Sequence, residues 1–228
     1  MFKKEPPPTT KGEQTRELIF STALELFRDR GFEATTMQDI ASAAQVAKSA
    51  AYYYFPSKES IVQAYYEAVQ AEQERLCAET FASTTDLRKR ILTAMLLRFD
   101  LVQNDRKLLG VVFRYNAEPN HPLSCLGPGT AVLRKRSMLT FAEALSVERL
   151  PKDLAELLPL ALWSLQMGLL VLFLYDTTTN QERTRRLATG AIDLTLKLLT
   201  LAKLPILKPA RTRVIALLRE ADLLPDLN

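Results

Sequence analysis

Apolar residues recur along this chain at helical spacing, and no segment sustains the period-two alternation that a half-buried strand needs. Ile19, Ala23, Leu26 and Phe27 fall at i, i+4, i+7 and i+8, which puts one apolar stripe on a helix over 15–30. Gly31 follows as its C-cap. Thr36, with Asp39 three residues on, makes a capping-box-like start for a short second helix that ends near Gln45. A third helix begins near Ala47 and must stop before Pro56, because the residue preceding a proline avoids the helical region. Ser57 then caps a long fourth helix reaching 77. Farther on, the pattern predicts helices over 86–102, 105–115, 130–145, 153–176, 181–203 and 210–221, with the longest irregular connection at 116–129. The fold class is therefore expected to be all-α, with no internal repeat.

Two short helices joined by a tight turn, ahead of a longer one, describe a helix-turn-helix. Ala41, Ala43 and Ala44 allow close crossing of the second and third helices, and Val46 plugs the turn into the core. The third helix offers Ala47, Lys48, Ser49 and Ala50 at its N-terminal end. Between Gln45 and Ser57 the one charge is Lys48, which is positive and suits phosphate. Tyr52, Tyr53, Tyr54 and Phe55 then follow in succession. Each helical step turns about 100°, so four adjacent rings cannot all face one core. Phe55 is expected in the core, Tyr52 and Tyr53 on the outer surface, and Tyr54 between the two.

The segment over 15–59, "TRELIFSTALELFRDRGFEATTMQDIASAAQVAKSAAYYYFPSKE", resembles the DNA-binding domain of the TetR family of bacterial transcriptional regulators. Gly31-Phe32, "TT", "DIA", the turn residue, the lysine, "YY", the aromatic pair and "SKE" match the family pattern in register without a gap. The resemblance implies a homodimer that binds a near-palindromic double-stranded DNA operator as a repressor and is released by a small, largely apolar effector. It implies three parts: a flexible arm at 1–14, the helix-turn-helix domain at 15–60, and a helical ligand-binding and dimerisation domain at 61–228. Thr36 would meet a phosphate at a helix N-terminus, and Gln38 would reach bases. Ala47, Lys48, Ser49 and Ala50 would enter the major groove, while Tyr52, Tyr53, Tyr54 and Lys58 would line its edge and backbone. The chain departs from the pattern at Gln45 (usually glycine), at Ala47 (usually serine), at Ser49-Ala50-Ala51 (usually Gly-Thr-Leu) and at Tyr54 (commonly histidine). These departures make the operator sequence its own. The helices near 153–176 and 181–203 would form the dimer interface. The pocket would lie among the fourth to eighth helices, with Tyr65, Met95, Phe99, Phe113, Trp163, Gln166 and Met167 as candidate lining residues. Arg98 and Asp100 interrupt an otherwise apolar helix and are candidates for orienting a polar end of the ligand.

Composition adds limits. The chain has 228 residues, 47% hydrophobic, with a net charge of +4. Residues 1–60 carry as many acids as bases, so the DNA reading rests on arrangement and not on bulk charge. Lys3, Lys4 and Lys11 sit in a polar, proline-containing N-terminus without an apolar run, so no signal peptide is expected there. Cys77 and Cys125 are far apart and form no CxxC, pointing to a reducing cytoplasm. His121 is the only histidine, too few ligands for a metal centre, and no cofactor is expected. No Ser/His/Asp set or glycine-rich phosphate loop supports catalysis, so the chain is not expected to be an enzyme. The alternative is a small-molecule-binding protein or enzyme whose DNA-binding head has lost its function, a reading prompted by Gln45-Val46-Ala47. The apolar run at 157–175 is long enough to span a bilayer, but Pro159, Ser164, Gln166 and Gly168 suit a helix buried in a bundle, and no membrane partner is expected.

Overall fold

Thr10 sets where the chain enters its first helix. Its hydroxyl accepts from the Glu13 backbone N–H at 3.2 Å, and its own N–H donates to the Glu13 carboxylate at 2.6 Å. This capping box starts α1 at Lys11 and carries it to Asp29 (Lys11–Asp29), four residues ahead of the start expected at 15. Residues 11–14, expected in a flexible arm, are therefore the first turn of α1. The structure, a computed structural model, describes residues 10–224; Lys3 and Lys4 lie outside them.

The helix-turn-helix follows as α2 (Met37–Ala43) and α3 (Lys48–Tyr54). The rest is α4 (Lys58–Ser83), α5 (Leu87–Val102), α6 (Arg106–Arg114), α7 (Ala131–Leu145), α8 (Lys152–Tyr175), α9 (Glu182–Ala202) and α10 (Lys208–Glu220). Single 3₁₀ turns flank α6, and the described residues contain no strand. The helix-turn-helix and all-α expectations hold. The fourth helix runs one and a half turns past its expected end at 77, and its apolar positions join the two parts of the molecule. Ile61 and Val62 are buried near its start, while Cys77 and Phe81 are buried in the body. There α4, α5, α7 and α8 pack together, α9 lies against α5 and α8, and α10 closes on α8.

By length and composition α8 is apolar enough to cross a membrane. In this fold it is a central bundle helix, with Leu162, Trp163, Leu169, Leu170 and Phe173 buried against its neighbours. Arg90 shows how the body's ends are closed. Its buried guanidinium donates to the carbonyls of Phe81 and Thr84 at the end of α4, and to those of Glu143 and Ala144 in α7. A cation at two helix C-termini satisfies orphan carbonyls and opposes two negative dipole ends.

Two local features generate tests. In the helix-turn-helix, Gln45 is left-handed (φ 54°). Val46 N–H donates to Ala41 O at 3.0 Å and Gln45 N–H to Ser42 O at 3.2 Å, the bond pair that favours glycine at the left-handed position. Gln45→Gly should raise the unfolding free energy by about 0.5–1 kcal/mol, the left-handed strain relieved less the extra chain entropy of glycine; urea unfolding checks it. Before α9, the Asp176 carboxylate accepts from the hydroxyls and backbone N–H groups of both Thr178 and Thr184. The Thr178 hydroxyl first, with the other three donors, holds its pKa well below the ordinary 3.8. That stability is complete above the ordinary value and is lost as the pH falls below it. Asp176→Asn should therefore lower the unfolding midpoint at neutral pH, and the gap to the parent should narrow on acidification below about pH 4.

Candidate nucleic-acid interface and internal cavity

The head is built around Ile19, Ala23, Phe27, Phe32, Ile40, Ala41 and Ala44, all buried. Into it α3 inserts Ala51, and the residue closing the helix, Phe55, stacks on Phe20 at 6.3 Å. Those two anchors fix the helix phase. Ala47, Lys48, Ser49, Tyr52 and Tyr53 are turned outward, Tyr52 44% and Tyr53 81% exposed, and Ala50 is half-buried. Lys48 Nζ lies 5.9 Å from the Tyr52 ring. Ala47 leaves the N-terminus of α3 without a side-chain cap, and Ser49 does not replace it. Tyr54 is half-buried and meets Tyr53 edge-on at 5.1 Å. A Cβ on Gly12 would come within 3.3 Å of the Tyr54 hydroxyl, so the ring leans on the start of α1.

The remaining candidates are more constrained than the sequence suggests. The Thr36 hydroxyl works inside its own capping box, donating to the Asp39 carboxylate at 2.6 Å and accepting from the Asp39 N–H at 3.1 Å. Gln38 is exposed and donates to Ser42 Oγ at 3.3 Å, which brings Ser42 onto the same face. Lys58 does not extend freely. Its ammonium donates to Phe32 O at 2.7 Å and sits 4.5 Å from the Phe32 ring, tying α4 to the loop before α2.

In the body, α4, α5, α6, α7 and α8 line a half-open cavity of about 110 Å³. Of the seven candidates chosen by residue type, Tyr65, Phe113, Trp163 and Met167 lie on its wall. Met95, Phe99 and Gln166 do not: they are sealed in the adjoining core. Phe99 stacks on Phe173 at 5.1 Å, and Gln166 donates to Ala94 O at 3.2 Å. The helical phase of α5 explains the correction, since the face carrying Met95 and Phe99 packs inward and Arg98, about 60° to one side of Met95, reaches the cavity. Asp100 points away, exposed and paired with Arg185 at 2.7 Å. Gln70, Arg134 and Ser137 also line the cavity, as do Leu123 and Cys125 from the 116–129 connection. No period in the sequence marks these, because the connection is folded by tertiary bonds. Gln63 Nε2 donates to Pro122 O at 3.0 Å and Thr130 Oγ1 to Ser124 O at 2.6 Å. Gly129 is required where it is, since a Cβ there would meet Pro122 O at 2.7 Å.

Cavity and head share two bridges. The Tyr65 hydroxyl donates to Asp105 Oδ2 at 2.9 Å. Asp105, only 4% exposed, accepts Arg28 Nε from α1 at 2.5 Å on its other oxygen. Burial pushes the Tyr65 phenol far up, which keeps it protonated and donating, while the Asp105 bond raises the Arg28 guanidinium further. At the second bridge the Tyr115 hydroxyl donates to Glu33 at 2.5 Å, and His121 from the 116–129 connection stacks on Tyr115 at 3.9 Å. Neither bridge was legible in the sequence, because its members are 40 to 82 residues apart. Asp105→Asn keeps the shape but offers an amide where Arg28 and Tyr65 both need an acceptor. It should cost about 1–3 kcal/mol of stability in urea unfolding.

Residues 19–65 match the family model described as bacterial regulatory proteins, tetR family. The chain is 30% identical over 112 residues to the HTH-type transcriptional activator FasR of Mycolicibacterium smegmatis, covering 47% of this chain and 50% of that protein. It is 43% identical over 60 residues to the HTH-type transcriptional repressor KstR2 of Rhodococcus jostii, covering 25% and 29%. The crystal structure of the TetR transcriptional regulator from Nitrosomonas europaea superposes with a TM-score of 0.65 at 18% identity, over 79% of this chain and 97% of that one, so the two share a fold. The chain spans between 17% and 58% of the lengths of the first curated relatives it matches.

Proposed function

Because the chain belongs to the TetR family of bacterial regulatory proteins, we propose that it is a cytoplasmic, homodimeric repressor whose hold on a near-palindromic operator is released when a small molecule fills the cavity. The observation that carries this reading is Tyr65, which belongs at once to the cavity wall and to the hydrogen-bonded bridge into α1. A ligand that shifts Tyr65 changes what Asp105 can offer Arg28, and with it the seat of the head on the body. Release then requires only that the ligand bind one head orientation more tightly than the other.

The exposed face of α3 meets the DNA in this reading. Lys48, Tyr52 and Tyr53 stand out from it, with no acid in the helix to repel phosphate. Ser49 and Ala50 lie nearest the bases, where Ala50 suits a thymine methyl group and Ser49 discriminates weakly. Lys58 contributes by holding the loop at Phe32 and not as a free phosphate ligand. For the dimer, α8 presents Ala161, Ser164, Gly168, Val171, Leu172 and Tyr175 outward, while α9 presents Leu187, Gly190, Leu194, Leu198 and Leu201. Two adjacent stripes of this kind make a four-helix interface, and a two-fold axis through it would set the paired α3 helices about 34–36 Å apart. Light scattering should then give twice the 25.7 kDa chain mass.

The test is binding to duplexes from the chain's own upstream region across a salt series. The parent protein should bind, with affinity falling as salt rises. Lys48→Ala with Tyr53→Phe should weaken binding by about tenfold or more, with no loss of stability. The log–log salt slope should flatten by about 0.9 for each phosphate that the variant no longer neutralises. Absence of salt-dependent binding to any such duplex would sink the reading and favour a ligand-binding protein with an idle head.

A further inference from the structure

We propose that the cavity takes a compact organic anion, an arene-sized body bearing one carboxylate, with the carboxylate seated on Arg98. The inference rests on the cavity being the effector site and names the chemistry of that effector.

Charge is the first argument. The cavity wall carries two cations, Arg98 and Arg134, and no acid. Among the described residues Arg98 has only neutral partners. Its Nη2 donates to Gln70 Oε1 at 2.5 Å and approaches Ser137 Oγ at 3.4 Å, while Nε is enclosed and donates to nothing. The nearby carboxylate, Glu74, is already taken: Arg136 binds it at 2.6 and 3.0 Å, and Gln70 Nε2 at 2.9 Å. Arg134 is likewise spent on backbone, donating to Cys125 O at 2.8 Å. A desolvated guanidinium whose nearby carboxylate is committed to another arginine is costly, and burial draws the Arg98 pKa down to about 10 although Glu74 at longer range opposes it. A carboxylate arriving in the cavity supplies the missing charge to a group already held in place by Gln70 and Ser137.

Shape is the second argument. Most of the remaining wall is apolar or aromatic, including Phe113, Trp163, Met167 and Leu170, with Asn116 and Thr130 as polar members. At about 110 Å³ the space is close to the roughly 150 Å³ that admits benzene in an engineered apolar cavity. The space is open on one side, so a single ring seats against this wall with its carboxylate toward Arg98. The same geometry disfavours cations, which Arg98 repels, and neutral ligands, which leave it unpaired.

Trp163 is the only tryptophan of the chain and lies on the cavity wall, so its emission reports occupancy directly. The experiment titrates the full-length protein with benzoate, benzamide and benzylamine, near-isosteric probes of charge −1, 0 and +1. Benzoate should change Trp163 emission saturably and bind at least about tenfold more tightly than benzamide, a difference of about 1.4 kcal/mol; benzylamine should not bind. Arg98→Met should abolish the preference while holding or raising the melting temperature, because it removes an uncompensated charge. Arg98→Lys covers the case where the Met variant does not fold. A single ammonium cannot replace the planar guanidinium toward Gln70, Ser137 and a carboxylate together, so the preference should fall several-fold. Equal binding of benzoate and benzamide, an unchanged preference in the Arg98 variants, or no response to benzoate up to about 10 mM overturns the proposal. Duplex binding measured alongside separates the two claims. Intact duplex binding without a benzoate preference defeats the anion inference alone, whereas absent duplex binding defeats the regulator reading whatever the titration shows.

Discussion

One buried carboxylate, Asp105, fixes how the helix-turn-helix head sits on the body. It lies at the turn into α6, accepts from Arg28 of α1 on one side and from Tyr65 of α4 on the other, and is almost wholly removed from water. A carboxylate in such a place must be fully bonded, since an unpaired buried charge costs several kcal/mol. The head therefore cannot rock on α4 without either carrying the body's α6 along or breaking a charged hydrogen bond. That constraint makes a cavity some distance from α3 relevant to what α3 does.

The second bridge works on the same principle from the other side. The connection at 116–129 walls the cavity with Leu123 and Cys125, and through His121 on Tyr115 and Tyr115 on Glu33 it also touches the loop that leads into α2. Lys58 holds that loop from α4 through Phe32 O. Cavity wall, loop and head thus form one contiguous hydrogen-bonded and packed path, along which a ligand altering the wall would act in the proposed mechanism. The polar groups along this path explain why the body keeps buried charge at all. Arg90 closes helix ends, Asp105 closes the head–body joint, and Arg98 is the exception that closes nothing.

Much of this was legible in the sequence, and the reasons for the limits are physical. Helix positions followed from the 3.6-residue period and from caps such as Thr36–Asp39 and Ser57, and the outward turn of Tyr52 and Tyr53 followed from the impossibility of burying four successive rings. The start of α1 was hidden because its first turn is polar and held by Thr10 and Glu13, not by apolar spacing. Residue type alone placed Tyr65, Phe113, Trp163 and Met167 near a cavity but could not separate them from Met95, Phe99 and Gln166, since core and cavity walls draw on the same side chains. The roles of Lys58, Asp105 and Tyr115 depend on partners up to 82 residues away, and no local pattern announces them.

In the proposed mechanism cavity and operator are energetically linked through the Asp105 joint, and linkage is reciprocal. The most direct measurement is the benzoate affinity read from Trp163 emission, taken with and without a saturating operator duplex. The duplex should weaken benzoate binding by the same factor by which benzoate weakens the duplex, and Asp105→Asn should shrink both factors together. An affinity for benzoate that is identical with and without bound duplex would contradict it.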